Sequence, residues 1–358
     1  MLTVSIYRHP DEIPGDVQQL FAAGATHNIE HSTAWYANLI DSVYPGDDGI
    51  HIYVLKNNGM PVAALPLRAT MATLGQQVQS LSNYYTALYA PLITPGLESS
   101  DLAVLLAAVH DAHAPLASVR LAPMDPESAG FGLLMNALKT VGLVPFKFFC
   151  FGNWYLPVKE DWPAYLQNRN GTVRSTLKRM GKKFAAVGGK LELVQGGDEL
   201  ERGVAAYLQV YASSWKTPEP FPQFVPNLIR TCAAHGWLRL GIAWLNGEPV
   251  AVQLWIVANG KASIYKLAHD EKFKTYASGT LLTSMLMAHV MQHDQVTEVD
   301  YLMGDDPYKQ LWMNQRRERW GIIAYNPKTL PGLLGLGKEV LGRRLKGALS
   351  LKSWIAGW

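Results

Sequence analysis

A run of acidic, phenolic and basic side chains near residue 300 has the composition of a proton-transfer site. Asp300 begins this run, Asp305 follows, and Tyr308 and Lys309 end it. The apolar residues around Val299 predict a strand, so these groups follow a strand that opens towards a cleft, where they could take up or deliver a proton. A structural role is the alternative: the aspartates could cap a helix that begins after them, and the tyrosine could be packed.

A second stretch has the residue types of an anion-binding loop. It follows a predicted strand that ends at His269, and it leads into the apolar pattern LLTSMLMAHV, which predicts a helix. Helix starts present unpaired N–H groups and a positive dipole end, and small side chains let a phosphate approach them. An ordinary serine or threonine cap is the alternative. The candidate residues are Lys272, Lys274, Ala277, Ser278, Gly279 and Thr280.

Positive charge is concentrated on one predicted helix, from Arg169 to Lys183. Arg174, Lys178 and Lys182 recur at four-residue spacing, and no acidic residue lies between Trp162 and Leu191. Like charges at this spacing repel each other in a helix. A phosphate-bearing substrate, a nucleic acid or a solvated surface would each account for this pattern.

The stretch from Tyr211 to Phe221 is rich in aromatic residues and proline. Trp215 could stack on a sugar ring or an aliphatic chain, and Glu219 could bind an amine or a hydroxyl group. Core packing is the alternative for the tryptophan.

The histidines and cysteines do not have the spacing of a metal site. His289 and His293 are four residues apart, but no carboxylate follows them in the order found in zinc proteases. Cys150 and Cys232 are far apart in apolar surroundings. We therefore expect no metal and no disulfide.

Composition indicates a folded protein with two domains. The chain has 358 residues, 48% of them hydrophobic and 17% charged. Residues 1–150 hold 6 Lys and Arg against 12 Asp and Glu, whereas residues 151–358 hold 26 against 17, which favours an anionic ligand in the second half. No secretory signal and no spanning apolar run is visible, so we expect a cytoplasmic protein.

Helices and strands alternate in both halves, which predicts an α+β class. Asn58-Gly59, Asn246-Gly247 and Asn259-Gly260 predict hairpins. Each half has helices, a meander at an Asn-Gly turn, a helix, a strand and a last helix. In the second half this last helix covers residues 307–315. We therefore predict related domains over residues 1–157 and 158–328, followed by a basic tail over residues 329–358.

Two segments resemble the GNAT acyltransferases, in particular the tandem branch of Fem-type aminoacyltransferases and CelD-like acetyltransferases linked to polysaccharide synthesis. Lys274-Thr-Tyr-Ala277-Ser-Gly279 is similar to the family's pyrophosphate loop, Gln/Arg-x-x-Gly-x-Gly/Ala, with lysine and alanine as departures. Asp300 to Lys309 is similar to Asp-x-x-x-Gly-Asp-x-x-Tyr-Lys. Gly247-Glu-Pro-Val-Ala251 and the strand that contains Tyr265 resemble a CelD-like hairpin.

The resemblance implies two tandem GNAT-like domains. The second would bind acetyl-CoA or another acyl-CoA, and the first would shape the acceptor site at their junction. Tyr308 would protonate the departing thiolate, and Asp300, Asp305 or His269 would help to deprotonate an amine. The acceptor would be a small molecule or a glycan precursor, such as an amino sugar, without nucleic acid. The implied substrate contacts are Trp215, Glu219, Arg174, Lys178, Tyr265 and Lys309.

Two other functions stay open. A Fem-type enzyme would take an aminoacyl group from charged tRNA, as the basic helix favours. A non-catalytic module for polysaccharide synthesis would keep the fold and lose the site.

The tail after Gly332 combines leucines with basic residues. It could lie on an anionic membrane surface at the inner face, or pack against the preceding domain, and its five glycines argue against a stable helix. Its basic residues are Lys338, Arg343, Arg344, Lys346 and Lys352.

Overall fold

The computed structural model of the chain describes residues 1–73 and 75–355, and the side-chain surroundings of the C-terminal helix up to Leu345. The strands are β1 (Leu2–Tyr7), β2 (Ile50–Asn57), β3 (Met60–Ala72), β4 (Gly75–Ser80), β5 (Leu92–Ile93), β6 (Leu116–Met124), β7 (Val144–Pro157), β8 (Gly189–Val194), β9 (Leu238–Leu245), β10 (Glu248–Ala258), β11 (Lys261–His269), β12 (Glu298–Asp300) and β13 (Gln315–Tyr325). The helices are α1 (Gly15–Ala25), α2 (Thr33–Val43), α3 (Ser99–Ala112), α4 (Ala129–Thr140), α5 (Trp162–Gln167), α6 (Gly171–Ala186), α7 (Leu200–Ser213), α8 (Phe224–Ala234), α9 (Ser278–Gln292) and α10 (Leu330–Ile355).

All of these strands belong to one mixed sheet. Its order is β1-β2-β3-β4-β6-β13-β7-β12-β11-β10-β9-β8, and β5 pairs with β3. The β4–β6 and β11–β12 pairs are parallel, and the others are antiparallel. Helices cover the sheet, so the predicted α+β class is confirmed.

Strands from the two sequence halves interleave at the centre of the sheet. The late strand β13 lies between β6 and β7, and β7 also pairs with β12. Helices α2 and α8 meet above the sheet, where the Trp35 and Phe224 ring centroids are 5.7 Å apart. The domain division at residue 157 stays a prediction. The two predicted ranges share strand pairs and a hydrophobic core.

Strand β13 was missing from the sequence-based expectations. The helix predicted over residues 307–315 is only a 3₁₀ turn from Pro307 to Leu311. Charged residues lie on both faces of β13, so its sequence does not alternate between apolar and polar residues as a typical strand does. In the structure these charged side chains form ion pairs. Arg317 binds Glu298 at 2.7 Å, and Arg319, 4% exposed, binds Asp125 at 3.0 Å.

The three predicted Asn-Gly hairpins are confirmed. Asn58, Asn246 and Asn259 have φ values of 50°, 53° and 52°, and the glycine after each also has a positive φ. Two-residue turns of type I′ need a positive φ at both positions. The last two turns connect β9, β10 and β11, so they place the end of β11 beside the start of α9.

Side chains cap three of the helices. The Asp161 side chain accepts from the Ala164 N–H at 3.0 Å at the start of α5, and the side chain of Asn170, the N-cap of α6, accepts from the Thr172 N–H. Glu98 and Asp101 form a reciprocal capping box at the start of α3.

The C-terminal segment forms a helix despite its glycines, which corrects the expectation from propensity. A side chain at Gly335 would collide with the ring of Tyr325, and one at Gly332 with the carbonyl of Asn326. The glycines thus let α10 approach the sheet, and this packing offsets their low propensity. Leu334 and Leu341 stay exposed. The side chains of Lys346 and Lys352, and residues 356–358, lie outside what the structure describes. Within the described range, none of the helices is both long and apolar enough to cross a bilayer.

Candidate functional site

A groove of about 440 Å³ opens between α6, β10, β11 and the start of α9. We call it the main groove. It collects two of the predicted catalytic residues, five of the six anion-binding residues and one substrate contact, which come from four separate segments of the second half. They are Trp215, His269, Lys274, Ala277, Ser278, Gly279, Thr280 and Tyr308.

Helix α9 begins at this groove without a capping side chain. Ala277, its N-cap, has a left-handed backbone with φ of 52°. The first bond of this helix runs from the Leu281 N–H to the Ala277 carbonyl at 3.1 Å. In the described part of the chain, the N–H groups of Ser278, Gly279 and Thr280 make no hydrogen bond. A serine or threonine cap is therefore ruled out, and three amide donors stay available at the groove.

The space in front of these amides is open. A Cβ atom built on Gly279 would meet no other atom within 4 Å. The fully buried Gln253 of β10 fixes the helix start from behind, because its Nε2 donates to the Gly279 carbonyl and to Thr283 Oγ1, both at 2.8 Å. A rigid, uncapped helix start beside open space can hold an anion such as a diphosphate.

His269 lies at the end of β11 with its ring 4.4 Å from that of Trp215. Burial lowers the pKa of His269, and the nearby Glu271 carboxylate, 3.2 Å from Nε2, only partly offsets this. The imidazole is therefore mainly neutral at pH 7 and can accept a proton. Trp215 is 51% exposed, so its ring is available to a ligand.

Tyr308 lies on the 3₁₀ turn at the other side of the groove. The partial burial of its hydroxyl and the charge of Asp306 raise the pKa of Tyr308 to about 12. The phenol therefore stays protonated at neutral pH and can donate a proton.

A second cavity of about 200 Å³, here called the side pocket, adjoins the main groove. Leu267, Tyr301 and Tyr308 line both cavities. Two of the predicted substrate residues, Tyr265 and Lys309, line the side pocket. Both make internal bonds: the Tyr265 hydroxyl donates to the Tyr85 carbonyl at 2.9 Å, and the Lys309 amine donates to the Gly304 carbonyl at 3.2 Å.

Glu219 stands behind the side pocket with both carboxylate oxygens occupied. Lys266 contacts one oxygen at 2.7 Å, and the hydroxyls of Tyr84 and Tyr85 donate to the other. Although burial opposes it, the bonds from Lys266 and Tyr84 hold the pKa of the Glu219 carboxyl below its usual value. The geometry therefore leaves this carboxylate little capacity for a substrate.

Asp300 and Asp305 lie outside both cavities. Asp300 is 1% exposed and is paired with Arg317 at 2.7 Å and Lys261 at 3.0 Å; despite burial, these charges lower its pKa. The hydrogen bonds of Arg316 likewise lower the pKa of Asp305. Both carboxylates thus hold β13 against its neighbours.

The remaining predicted residues surround the main groove. Lys272, Arg174 and Lys178 are exposed and do not line it. Helix α6 instead faces the groove with Thr172, Val173 and Thr176.

Sequence reasoning missed Gln253 and three residues of the side pocket. Gln253 is a polar residue within an apolar strand, which was a usable signal, because a buried amide needs partners. Tyr84, Lys216 and Lys266 gave no local signal, since distant segments bring them together. Across the residues that the structure places, no group of three or more His, Cys, Asp or Glu side chains could hold a metal ion.

One family model matches part of the second half of the chain. Residues 171–310 match the model of a family described as acetyltransferase (GNAT) domain. No curated protein matches the chain in sequence.

Solved structures with the same fold cover nearly the whole chain. FemX is 11% identical over 90% of this chain and 97% of its own, with a TM-score of 0.60. A tandem GNAT protein from the clavulanic acid biosynthesis pathway is 14% identical, and the match covers 92% of this chain and 100% of that protein, with a TM-score of 0.53. L-PGS from Bacillus licheniformis is 14% identical, and the match covers 87% of this chain and 92% of that protein, with a TM-score of 0.53. The chain therefore has the fold of tandem GNAT proteins, and its residues 171–310 match the acetyltransferase domain of that superfamily.

Proposed function

We propose that this protein is an N-acyltransferase that moves an acyl group, such as acetyl, from acyl-CoA to an amine. The observation that carries the proposal is the start of α9, where three amides without acceptors face open space in the main groove. The family match to residues 171–310 supports it, because this stretch contains α6 and the anion-binding loop.

In this proposal the amides of Ser278, Gly279 and Thr280 hold the diphosphate of acyl-CoA, and Lys274 adds charge beside them. The co-substrate supplies an activated thioester. Direct attack by a neutral amine needs positioning and proton transfer, with no covalent enzyme intermediate.

His269 and Tyr308 are the proposed proton-transfer pair. The neutral imidazole of His269 accepts a proton from the incoming amine, directly or through water, and the Tyr308 phenol donates one to the departing sulfur. Trp215, beside His269, is proposed to stack on the acceptor, which suits an amino sugar or a cell-envelope precursor.

The alternative donor is an aminoacyl-tRNA, and the basic helix favours it. Arg174, Lys178 and Lys182 are exposed on α6, and no carboxylate of the described residues pairs with them. Such a surface would attract a nucleic acid backbone.

Titration calorimetry with acetyl-CoA and with charged tRNA separates the candidates. Acetyl-CoA should bind, and Gly279→Val, which fills the space before the amides, should weaken binding at least about tenfold, or about 1.4 kcal/mol. Gly132→Val is the matched control, since Gly132 of α4 also has open space around it. Binding of charged tRNA alone would support the Fem-type alternative, and binding of neither would indicate a non-catalytic module.

Contact with a membrane through α10 also remains a proposal. Leu334 and Leu341 are exposed on this helix, with Arg344 nearby. Apolar and basic side chains together suit an anionic bilayer surface. Sedimentation with anionic and with neutral vesicles would test it: binding to neither would remove this role.

A further inference from the structure

The side pocket contains three lysine amines within a small, partly buried space. Lys216 comes from the loop after α7, Lys266 from β11 and Lys309 from the 3₁₀ turn. Two tyrosines from the first half, Tyr84 and Tyr85, also line it. Asp306 lines the same pocket, so three lysines face one carboxylate, and this excess of positive charge favours a ligand of opposite charge.

Two of these amines have partners within the protein. Lys266 contacts Glu219 at 2.7 Å and lies 4.7 Å from the ring centroid of Tyr84. Lys309, whose side chain is 4% exposed, donates to the carbonyls of Tyr301, Met303 and Gly304, with Asp306 at 3.5 Å. These two lysines therefore serve the internal structure of the pocket wall.

Lys216 is different. Within the described part of the chain, no carboxylate lies at ion-pair distance from its amine, and its neighbours are the rings of Trp215 and Tyr211, 5.8 and 6.0 Å away. Burial and the charges of Lys266 and Lys309 lower the pKa of Lys216 to about 8, although the more distant carboxylates of Glu219 and Asp306 oppose this. A partly desolvated cation beside other cations is unfavourable unless an anion joins it.

The side pocket also has the right position relative to the proposed chemistry. Tyr308, the proposed proton donor, lines both this pocket and the main groove. A molecule anchored at Lys216 could thus present an amine to the groove without leaving the pocket.

We infer that the side pocket holds an oxyanion of the acceptor, a carboxylate or a phosphate, and that Lys216 is its main binding residue. The acceptor is then an amine that also carries a negative charge. This inference rests on the proposed acyltransfer, because it concerns the second substrate of the same site. Anion binding in the side pocket, however, does not require that acyl-CoA is bound.

Chemical labelling of the lysines tests this directly. The full-length protein is treated with N-hydroxysuccinimidyl acetate from pH 6 to pH 10, in sodium phosphate, sodium acetate or sodium chloride of equal ionic strength, and the labelling rate of each lysine is measured by mass spectrometry. Lys139, exposed on α4 and outside both cavities, is the internal control.

In chloride, Lys216 should titrate near pH 8. An oxyanion should raise its pKa and slow its labelling at pH 7.5 several-fold, with Lys139 unchanged. Protection of Lys216 by phosphate would indicate a phosphate group on the acceptor, and protection by acetate would indicate a carboxylate. Equal labelling of Lys216 in all three salts would overturn the inference, and so would equal protection of both lysines.

Acetyl-CoA calorimetry on Lys216→Met separates the two claims. Retained acetyl-CoA binding in this variant, together with anion protection of Lys216 in the wild type, supports both. If the wild type binds no acetyl-CoA but phosphate or acetate still protects Lys216, the acyltransfer proposal fails while the anion site stands.

Discussion

At the scale of single residues, the account depends on two side chains with different proton affinities. Tyr308 stays protonated because partial burial and Asp306 raise its pKa, and His269 stays neutral because burial lowers its pKa. Each group thus holds the form that its proposed role needs near pH 7.

Tyr308→Phe tests the proposed acid. The phenylalanine keeps the ring against Tyr301 and removes only the hydroxyl, so we expect kcat for acyl transfer to fall about a hundred-fold with little change in Tm. Steady-state CoA release with a series of amines measures this. Tyr325→Phe, at a tyrosine of β13 outside both cavities, is the matched control. Unchanged kcat in Tyr308→Phe would remove this residue from the mechanism.

The pH dependence tests the proposed base. His269 has a pKa below its usual value of about 6.5, so it loses its proton before neutrality is reached. We expect kcat/KM to rise with pH on a limb whose midpoint lies below about 6.5, and His269→Gln to abolish that limb. A limb that persists in the glutamine variant would point to another base.

At the scale of elements, the start of α9 combines an uncapped helix with a backbone strain. Ala277 has φ of 52°, a conformation that costs a non-glycine residue about 1–2 kcal/mol. The family loop that this segment resembles has glycine at that position. The strained backbone of Ala277 therefore lies directly before the unpaired amides of α9.

Ala277→Gly should therefore stabilise the protein slightly. Glycine relieves the strain but adds about 0.5–1 kcal/mol of chain entropy cost, so we expect a net gain of about 0.5–1 kcal/mol in the free energy of unfolding. Urea denaturation measures it. Ala185→Gly, in the ordinary helix α6, should instead lower stability by about 1 kcal/mol. A loss in both variants would show that Ala277 is unstrained.

Elements with local signals were predictable from sequence, and those stabilised by distant partners were not. The Asn-Gly turns set their own backbone geometry, and the helix start near Gly279 followed from small residues before an apolar run. In contrast, β13 depends on Arg317 and Arg319 finding carboxylates elsewhere in the chain. Helix α10 depends on close packing of Gly335 against the ring of Tyr325, a residue of β13.

At the scale of the whole molecule, the interleaved strands make the two halves interdependent. Strand β13 pairs with β6 on one side and β7 on the other, and both of these precede residue 158. The side pocket likewise takes Tyr84 from the first half and Lys216 from the second. Fold and acceptor site should therefore be lost together when the chain is divided.

Fragments test this interdependence. A chain of residues 158–328 leaves β13 without either neighbour, so we expect no cooperative unfolding transition. A chain of residues 144–328 restores β7, which pairs with both β12 and β13, and should show a measurable transition. Far-UV circular dichroism against temperature compares them. A stable 158–328 fragment would contradict the shared-sheet description.

The measurement that tests the central claim most directly is hydrogen exchange at the start of α9 with and without coenzyme A. The amides of Ser278, Gly279 and Thr280 have no acceptor in the described structure, so they should exchange rapidly in the free protein. Coenzyme A should slow these three amides strongly, with little change at the Asn246-Gly247 turn. Coenzyme A that binds while these amides keep their exchange rates would contradict the account.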